Sequence, residues 1–246
     1  MKQEYLLPGK NGYDISCMEW TCEQEQAVLV CLHGFAGDKY SSVIEALAEA
    51  LVRKSVRVIT FDWPGHGSSP VEGDNLTMEN CLSDLQSVIQ TIQSGVRPVY
   101  LFATSYGGYL GLHYIARHPG IFSKVALRSP ALNMPETYRS LLTDDDVARL
   151  ENGEVLNHGF ERPLMLGKSF YEDLCQYRLS PDAFPAEVPG LIIQGDMDDV
   201  VNPRDSVAFA ERNGLHLHIV RGADHRYKKQ GNLEEIISAA SDFLLD

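Results

Sequence analysis

Short, unbroken apolar runs recur along this chain, separated by stretches whose apolar residues return every three or four positions. Ala27–Leu32 is the clearest run and contains no charge, the pattern of a strand buried on both faces of a parallel sheet. Val56–Phe61, Pro98–Ala103, Lys124–Arg128, Gly190–Gln194 and Leu215–Val220 also read as strands, since they are rich in β-branched residues and too short for helices. Between them, Ile44, Leu47, Ala48, Leu51 and Val52 share one helical face, as do Met78, Leu82, Leu85, Ile89 and Ile92. Tyr106 to His118 reads as a further helix. Start and stop signals agree with this reading. Ser42 and Glu45 have capping-box spacing, Thr77 precedes the second apolar face, Asn202-Pro203 opens a helix that Asn213-Gly214 closes, and Asn232 with Glu235 opens the last one. Ahead of these, Gln3–Leu7 and Tyr13–Trp20 flank Pro-Gly-Lys-Asn-Gly and predict an antiparallel hairpin that frames the sheet edge.

Strand and helix alternating with short connections predict an α/β fold: a mostly parallel central sheet covered by helices on both faces. In such sheets, sites form beyond the carboxyl ends of the strands. The alternation stops between Ala131 and about Pro189, so residues 131–189 are expected to form a helical insertion within one domain spanning 1–246. There Thr143 caps a helix opened by Asp144, Asp145 and Asp146, the right charge for a helix N-terminus, and Gly153 can end it. A second helix is expected from near Pro163, with Phe170 and Leu174 one turn apart.

Composition narrows the class. Lys+Arg 21 against Asp+Glu 34 gives a net charge of −13, which opposes nucleic acid or an anionic membrane surface as partner. The opening MKQEYLLPGKNGYD has neither the apolar core of a signal peptide nor a spanning segment, so a cytoplasmic location is expected. Five scattered cysteines without CxxC spacing argue against a disulfide framework and a zinc site. No HExxH or phosphate-cradling glycine motif occurs, so neither a metal nor a cofactor is inferred.

The chemistry gathers at Ser105. The run Leu101-Phe-Ala-Thr-Ser105 ends on a serine, and Tyr106-Gly107-Gly108 follows at once, where the next helix begins. At such a corner the serine oxygen projects above the sheet edge, and helix-start N–H groups face any anion formed beside it. A serine that only caps the helix is the plain alternative. Serine needs a general base, normally a histidine oriented by a carboxylate. Gly190–Gln194 runs into Gly195-Asp-Met-Asp-Asp199, and Leu215–Val220 runs into Arg221-Gly-Ala-Asp-His225. The order serine, aspartate, histidine is therefore available, with Asp196, Asp198 and Asp199 all open as the carboxylate. Asp62 and His66, in Asp62-Trp-Pro-Gly-His-Gly67, are catalytic candidates by residue type but read first as organisers of their loop. His33 reads as a brace for its own loop. His158, in the insertion, is a candidate substrate contact. Arg226, Lys228 and Lys229 follow His225 and read as surface charges, with attraction of an anionic substrate as the alternative.

This order, with HGFAG at 33–37, FDWPGHGSS at 61–69, GKSFYEDL at 167–174, QGDMDDVV at 194–201 and GADHRY at 222–227, resembles the α/β-hydrolase superfamily over nearly the whole chain. Within it the chain looks most like small bacterial carboxylesterases of the cinnamoyl and feruloyl ester hydrolase type, and monoacylglycerol lipases share much of the pattern. The resemblance implies a cap formed by the insertion, Ser105 as nucleophile, His225 as base, and backbone N–H groups of Phe35 and Tyr106 as oxyanion hole. The family's glycine, two variable residues, aspartate and valines fall on Gly195, Asp198 and Val200-Val201, which selects Asp198. It also implies a small-molecule ester substrate. The departure is Ala103, where the GxSxG pattern has glycine.

Overall fold

The computed structural model describes residues 1–92 and 97–246. Strand β3 (Ala27–Leu32) shows how the sequence builds the fold. Every one of its residues is buried, and successive side chains enter different layers. Val28, Val30 and Leu32 face one core with α2 (Met78–Ile92) and α3 (Tyr106–Arg117). Leu29 and Cys31 face the other with α1 (Ser42–Val52) and α8 (Asn232–Leu245). Each large apolar side chain so buried contributes roughly 1.5–3 kcal/mol, so this two-faced strand stabilises both layers at once.

Among the described residues the sheet has eight strands. The hairpin β1 (Lys2–Pro8) and β2 (Asp14–Trp20) forms one edge and joins antiparallel to β4 (Val56–Phe61). From β4 the order runs through β3, β5 (Val99–Thr104), β6 (Lys124–Arg128), β9 (Gly190–Gly195) and β10 (His216–Val220), all parallel. The carboxyl ends of these strands therefore lie along one side.

Between β6 and β9 the chain carries α4 (Met134–Ser140), α5 (Asp144–Glu151), the small hairpin β7 (Leu156–Asn157) and β8 (Met165–Leu166), and α6 (Lys168–Cys175). Thr143 forms a full capping box with Asp146 at the start of α5. The helix expected from Pro163 starts instead at Lys168. Asn157 Oδ1 accepts the N–H groups of Gly159 and Leu164, both at 3.0 Å, and closes a hairpin where Pro163 suggested a helix. Another local expectation also fails: the cap residue of α1 is Ser41, and Ser42 is already helical. Glu45, the other half of the expected box, is ion-paired with Lys2 at 2.5 Å. The seventh helix, α7 (Pro203–Asn213), begins at Asn202, whose side chain accepts from Arg204 N–H, and ends at left-handed Gly214.

Candidate active site

Ser105 sits at the turn from β5 into α3 with φ 50° and ψ −115°, a left-handed conformation that non-glycine residues rarely adopt. Its own N–H donates to Arg128 O on β6 at 3.0 Å, and Tyr109 N–H donates to its carbonyl at 3.1 Å. The surrounding structure thus holds a strained residue in place. So tight a corner requires that α3 lie close on the strands. A Cβ added at Gly107 would come within 2.5 Å of His33 O and 2.7 Å of Leu32 O. Ala103, in the position where the pattern has glycine, is fully buried. Its methyl group is accommodated because the helix presents Gly111 there, where an added Cβ would stand 3.7 Å from Ala103 Cβ.

His225 follows β10, and its Nε2 lies 3.1 Å from Ser105 Oγ. Its Nδ1 lies 3.0 and 2.9 Å from the two oxygens of Asp198, after β9. Asp198 Oδ1 also accepts Val200 N–H at 3.0 Å and Val201 N–H at 2.8 Å. Its Oδ2 accepts Gln194 Nε2–H at 3.0 Å, and the Ser206 hydroxyl, donating to Gln194 Oε1 at 2.7 Å, fixes that amide's orientation. Burial raises the Asp198 carboxyl pKa, but the His225 hydrogen bond and charge, with the Val201 N–H and the Ser129 hydroxyl, outweigh it and hold the group below the usual carboxylate range. The carboxylate is therefore charged and aimed at Nδ1–H, which leaves the Nε2 lone pair for the serine proton. The rival aspartates lie elsewhere. Asp196 accepts Gly222 N–H at 2.6 Å and pairs with Arg221 at 3.3 Å, while Asp199 only meets the His225 backbone N–H at 3.4 Å.

The loop after β3 approaches Ser105 from the other side: a Cβ on Gly34 would lie 3.3 Å from Ser105 Cβ. Phe35 N–H has no backbone partner among the described residues, and Tyr106 N–H, at the first position of α3, has no acceptor within its own helix. Two histidines shape this loop. His66 Nε2 accepts Ala36 N–H at 3.1 Å, and its Nδ1–H donates to Pro64 O at 3.0 Å. His33 Nε2 accepts Trp63 N–H at 3.3 Å, and its Nδ1–H donates to Gly34 O at 2.9 Å. Burial and then the neighbouring His33 push the His66 pKa down to about 3. Burial likewise lowers that of His33, against the pull of Asp62. Both rings are neutral struts. Asp62 accepts Lys39 N–H and Ser68 N–H, each at 2.8 Å, and pairs with the buried Lys39 ammonium at 2.9 Å.

Over Phe35 lies an aromatic group from the segment between β6 and β9. Phe170 stacks on Phe35 with ring centroids 5.7 Å apart, and Tyr138 meets it edge-on at 5.9 Å. His158 belongs to this group and lies 2.9 Å from the Tyr138 hydroxyl, with burial lowering its pKa. Sequence reasoning passed over Arg128. Its one available signal was a cation at the end of the strand beside the serine corner.

An α/β hydrolase fold family model matches residues 27–152, about half of the chain, and the chain belongs to that family. A mitochondrial palmitoyl-protein thioesterase of Pongo abelii, ABHD10, is 23% identical over 82% of this chain and 66% of its own length. Human monoglyceride lipase is 28% identical over 53% of this chain and 44% of its own. An uncharacterized abhydrolase domain-containing protein of Dictyostelium discoideum is 33% identical over 41% of this chain and 11% of its own. The chain thus spans two thirds or less of these relatives. Among solved structures, Est1E of Butyrivibrio proteoclasticus with ferulic acid bound superposes with a TM-score of 0.84 at 24% identity over 98% of both chains. Mouse alpha/beta hydrolase domain-containing protein 10 superposes at 0.78 with 18% identity over 98% of both chains. At these identities the superpositions speak to the fold alone. Among the described residues, no helix is long and apolar enough to cross a membrane.

Proposed function

We propose that this protein is a serine hydrolase of small carboxylic esters that works through an acyl-enzyme. The observation that carries this reading is the hydrogen-bonded line from Ser105 Oγ through His225 to Asp198, at 3.1 and 2.9 Å, assembled from three strand ends. Ser105 Oγ attacks the ester carbonyl carbon while His225 Nε2 takes its proton, and Asp198 stabilises the imidazolium that forms. Phe35 and Tyr106 N–H groups hold the oxyanion, each worth roughly 3–4 kcal/mol in systems of this kind. Collapse of the intermediate breaks the bond to the alcohol oxygen, which leaves with the proton from His225. Water, activated by the same imidazole, then frees the acid. Residues 131–189 act as a cap that governs access to Ser105.

Aromatic acyl groups are the finer part of the proposal. Phe35, which lines the cavity at Ser105 and is backed by the buried rings of Tyr138 and Phe170, and the likeness to a structure holding ferulic acid support it. A second reading, cleavage of thioesters or monoacylglycerols by the same three residues, is favoured by the names of the thioesterase and lipase relatives.

Labelling with a fluorophosphonate, comparing the native chain with Ser105→Ala, tests the chemistry, and p-nitrophenyl esters of graded length with matched thioesters test the preference. Labelling should vanish in the variant, with turnover down on the order of a millionfold. A folded native protein that takes no label would mark a ligand-binding protein on a hydrolase fold.

A further inference from the structure

The cavity that opens on Ser105 and His225 holds about 510 Å³, within the roughly 300–1,000 Å³ usual for small-ligand sites. Its charge is opposite to that of the chain around it. Among the described residues, Arg128, Arg226 and Lys228 all line it and no carboxylate does, in a chain whose net charge is −13. The Arg128 guanidinium donates to His225 O at 3.0 Å and lies 4.3 Å from the centre of the Tyr227 ring. Its Nε–H is buried without an acceptor among the described residues, an uncommon state for a charged donor. Arg226 lies over the ring of Phe160 at 4.8 Å, a rim residue that is 72% exposed. Among the described residues, none of the three cations has a carboxylate at ion-pair distance. Asp198 is engaged by His225, and Asp224 accepts the Lys228 backbone N–H at 3.1 Å. The cap residue of α1, Ser41, and its first residue, Ser42, line the same cavity, and Ser41 makes no side-chain cap, so the positive end of that helix adds to the field.

We propose that the alcohol part of the ester substrate carries an anionic group, carboxylate or phosphate, which Arg128, Arg226 and Lys228 hold. This rests on the serine-hydrolase reading. The side of the ester follows from proton transfer: His225 must protonate the departing oxygen, so the alcohol part lies against the His225–Lys228 segment, where the cations are. In acylation the bond from Ser105 Oγ to the acyl carbon forms and the bond to the alcohol oxygen breaks. The alcohol takes the proton and carries its anionic group away.

The test uses butyrate esters with one common acyl group and three alcohol parts: 4-hydroxybenzoate, 4-hydroxyphenyl phosphate, and the neutral methyl 4-hydroxybenzoate. The ratio of kcat/KM, charged over neutral, is read for the native chain, for Arg226→Gln with Lys228→Gln, and for Arg128→Gln. Comparing ratios between proteins cancels the intrinsic reactivity of each ester, and the neutral ester reports folding and basal chemistry in every variant. The native ratio for at least one charged ester should fall about tenfold or more in each variant, and should fall with added salt. Whichever anion shows the larger loss identifies the group. An unchanged ratio in both variants, with the neutral ester turned over and Ser105 labelled, overturns this inference alone. Loss of labelling and of neutral turnover in the native chain overturns the parent reading instead.

Discussion

His66 Nε2 accepts the N–H of Ala36 at 3.1 Å, and this bond joins the loop after β4 to the loop that carries Phe35. Ala36 itself is held at φ 55°, so the histidine clamps a backbone that would not choose this shape unaided. His66→Ala should lower kcat about 100-fold with a smaller change in KM, because the Phe35 N–H drifts from the oxyanion position. His66→Gln, which keeps an acceptor, should recover part of it. Equal kcat in a folded His66→Ala protein would show that the clamp does not position the loop for chemistry.

The same ring has a consequence for acid stability. His66 has its pKa lowered from 6.5 to about 3, so below pH 6.5 the unfolded chain takes up a proton that the folded one refuses. Its contribution is complete above pH 6.5 and is lost as pH falls towards 3. Denaturant titrations between pH 7 and 4 should therefore show a shallower loss of stability in His66→Gln than in the native chain. Parallel slopes would contradict this.

Asp198 and its neighbours should separate cleanly. Asp198→Asn should cost on the order of 10⁴ in kcat, since an amide cannot hold the same tautomer or stabilise the imidazolium. Asp199→Asn and Asp196→Asn should stay within a few-fold of native turnover. Asp196→Asn should lose some stability, because its carboxylate accepts Gly222 N–H at 2.6 Å. A reversed order of effects on ester turnover would reassign the carboxylate.

Asp84 lies outside the site but is buried at 1% exposure, bonded to the Tyr13 hydroxyl at 3.1 Å and to the Asn11 amide at 3.3 Å. Burial raises its pKa to about 7 despite both bonds. A raised value means stability is fully present below the ordinary 3.8 and is lost as pH rises through 7. Asp84→Asn should thus be more stable than the native chain at pH 8, by about 1–3 kcal/mol, and the gap should close towards pH 5. Melting curves at the two pH values decide it.

Ala103 and Gly107 test how the corner is built. Ala103→Gly should keep turnover within about twofold and lose up to roughly 1 kcal/mol, from added chain entropy in a strand. Gly107→Ala forces a methyl group against two carbonyl oxygens and should cost about 1–3 kcal/mol, with turnover falling as α3 shifts. A stable, fully active Gly107→Ala protein would contradict the close approach.

Much of the fold was legible because its central strands are buried on both faces, which leaves unbroken apolar runs such as Ala27–Leu32 in the sequence. Ser105 and His225 could be placed at strand ends from the order of the motifs, whereas Asp198 was separated from Asp196 and Asp199 only by resemblance to the family pattern; the structure brings the side chains of Ser105, His225 and Asp198 into one line. What escaped depended on partners far along the chain. Helix α4 has only Met134 and Tyr138 buried, too few to give a period. The start of α6 was obscured by Pro163, a good helix opener locally, which the Asn157 side chain commits to a hairpin. Glu45 matched a capping box, but its preferred partner is Lys2 on the edge strand. Arg128 was hidden because no local pattern says that a strand-end cation will lie beneath a histidine loop.

The left-handed backbone of Ser105 has a further consequence for how this molecule can be handled. A residue with a Cβ in that conformation stores on the order of 1–3 kcal/mol of strain, which a glycine would release. Ser105→Gly should therefore yield a chain that is inert yet melts higher than its parent, by roughly 2–4 °C per kcal/mol recovered. On the proposed function such a protein would be the natural trap for uncleaved ester, and the strained backbone at Ser105 holds native stability below what a glycine there would allow.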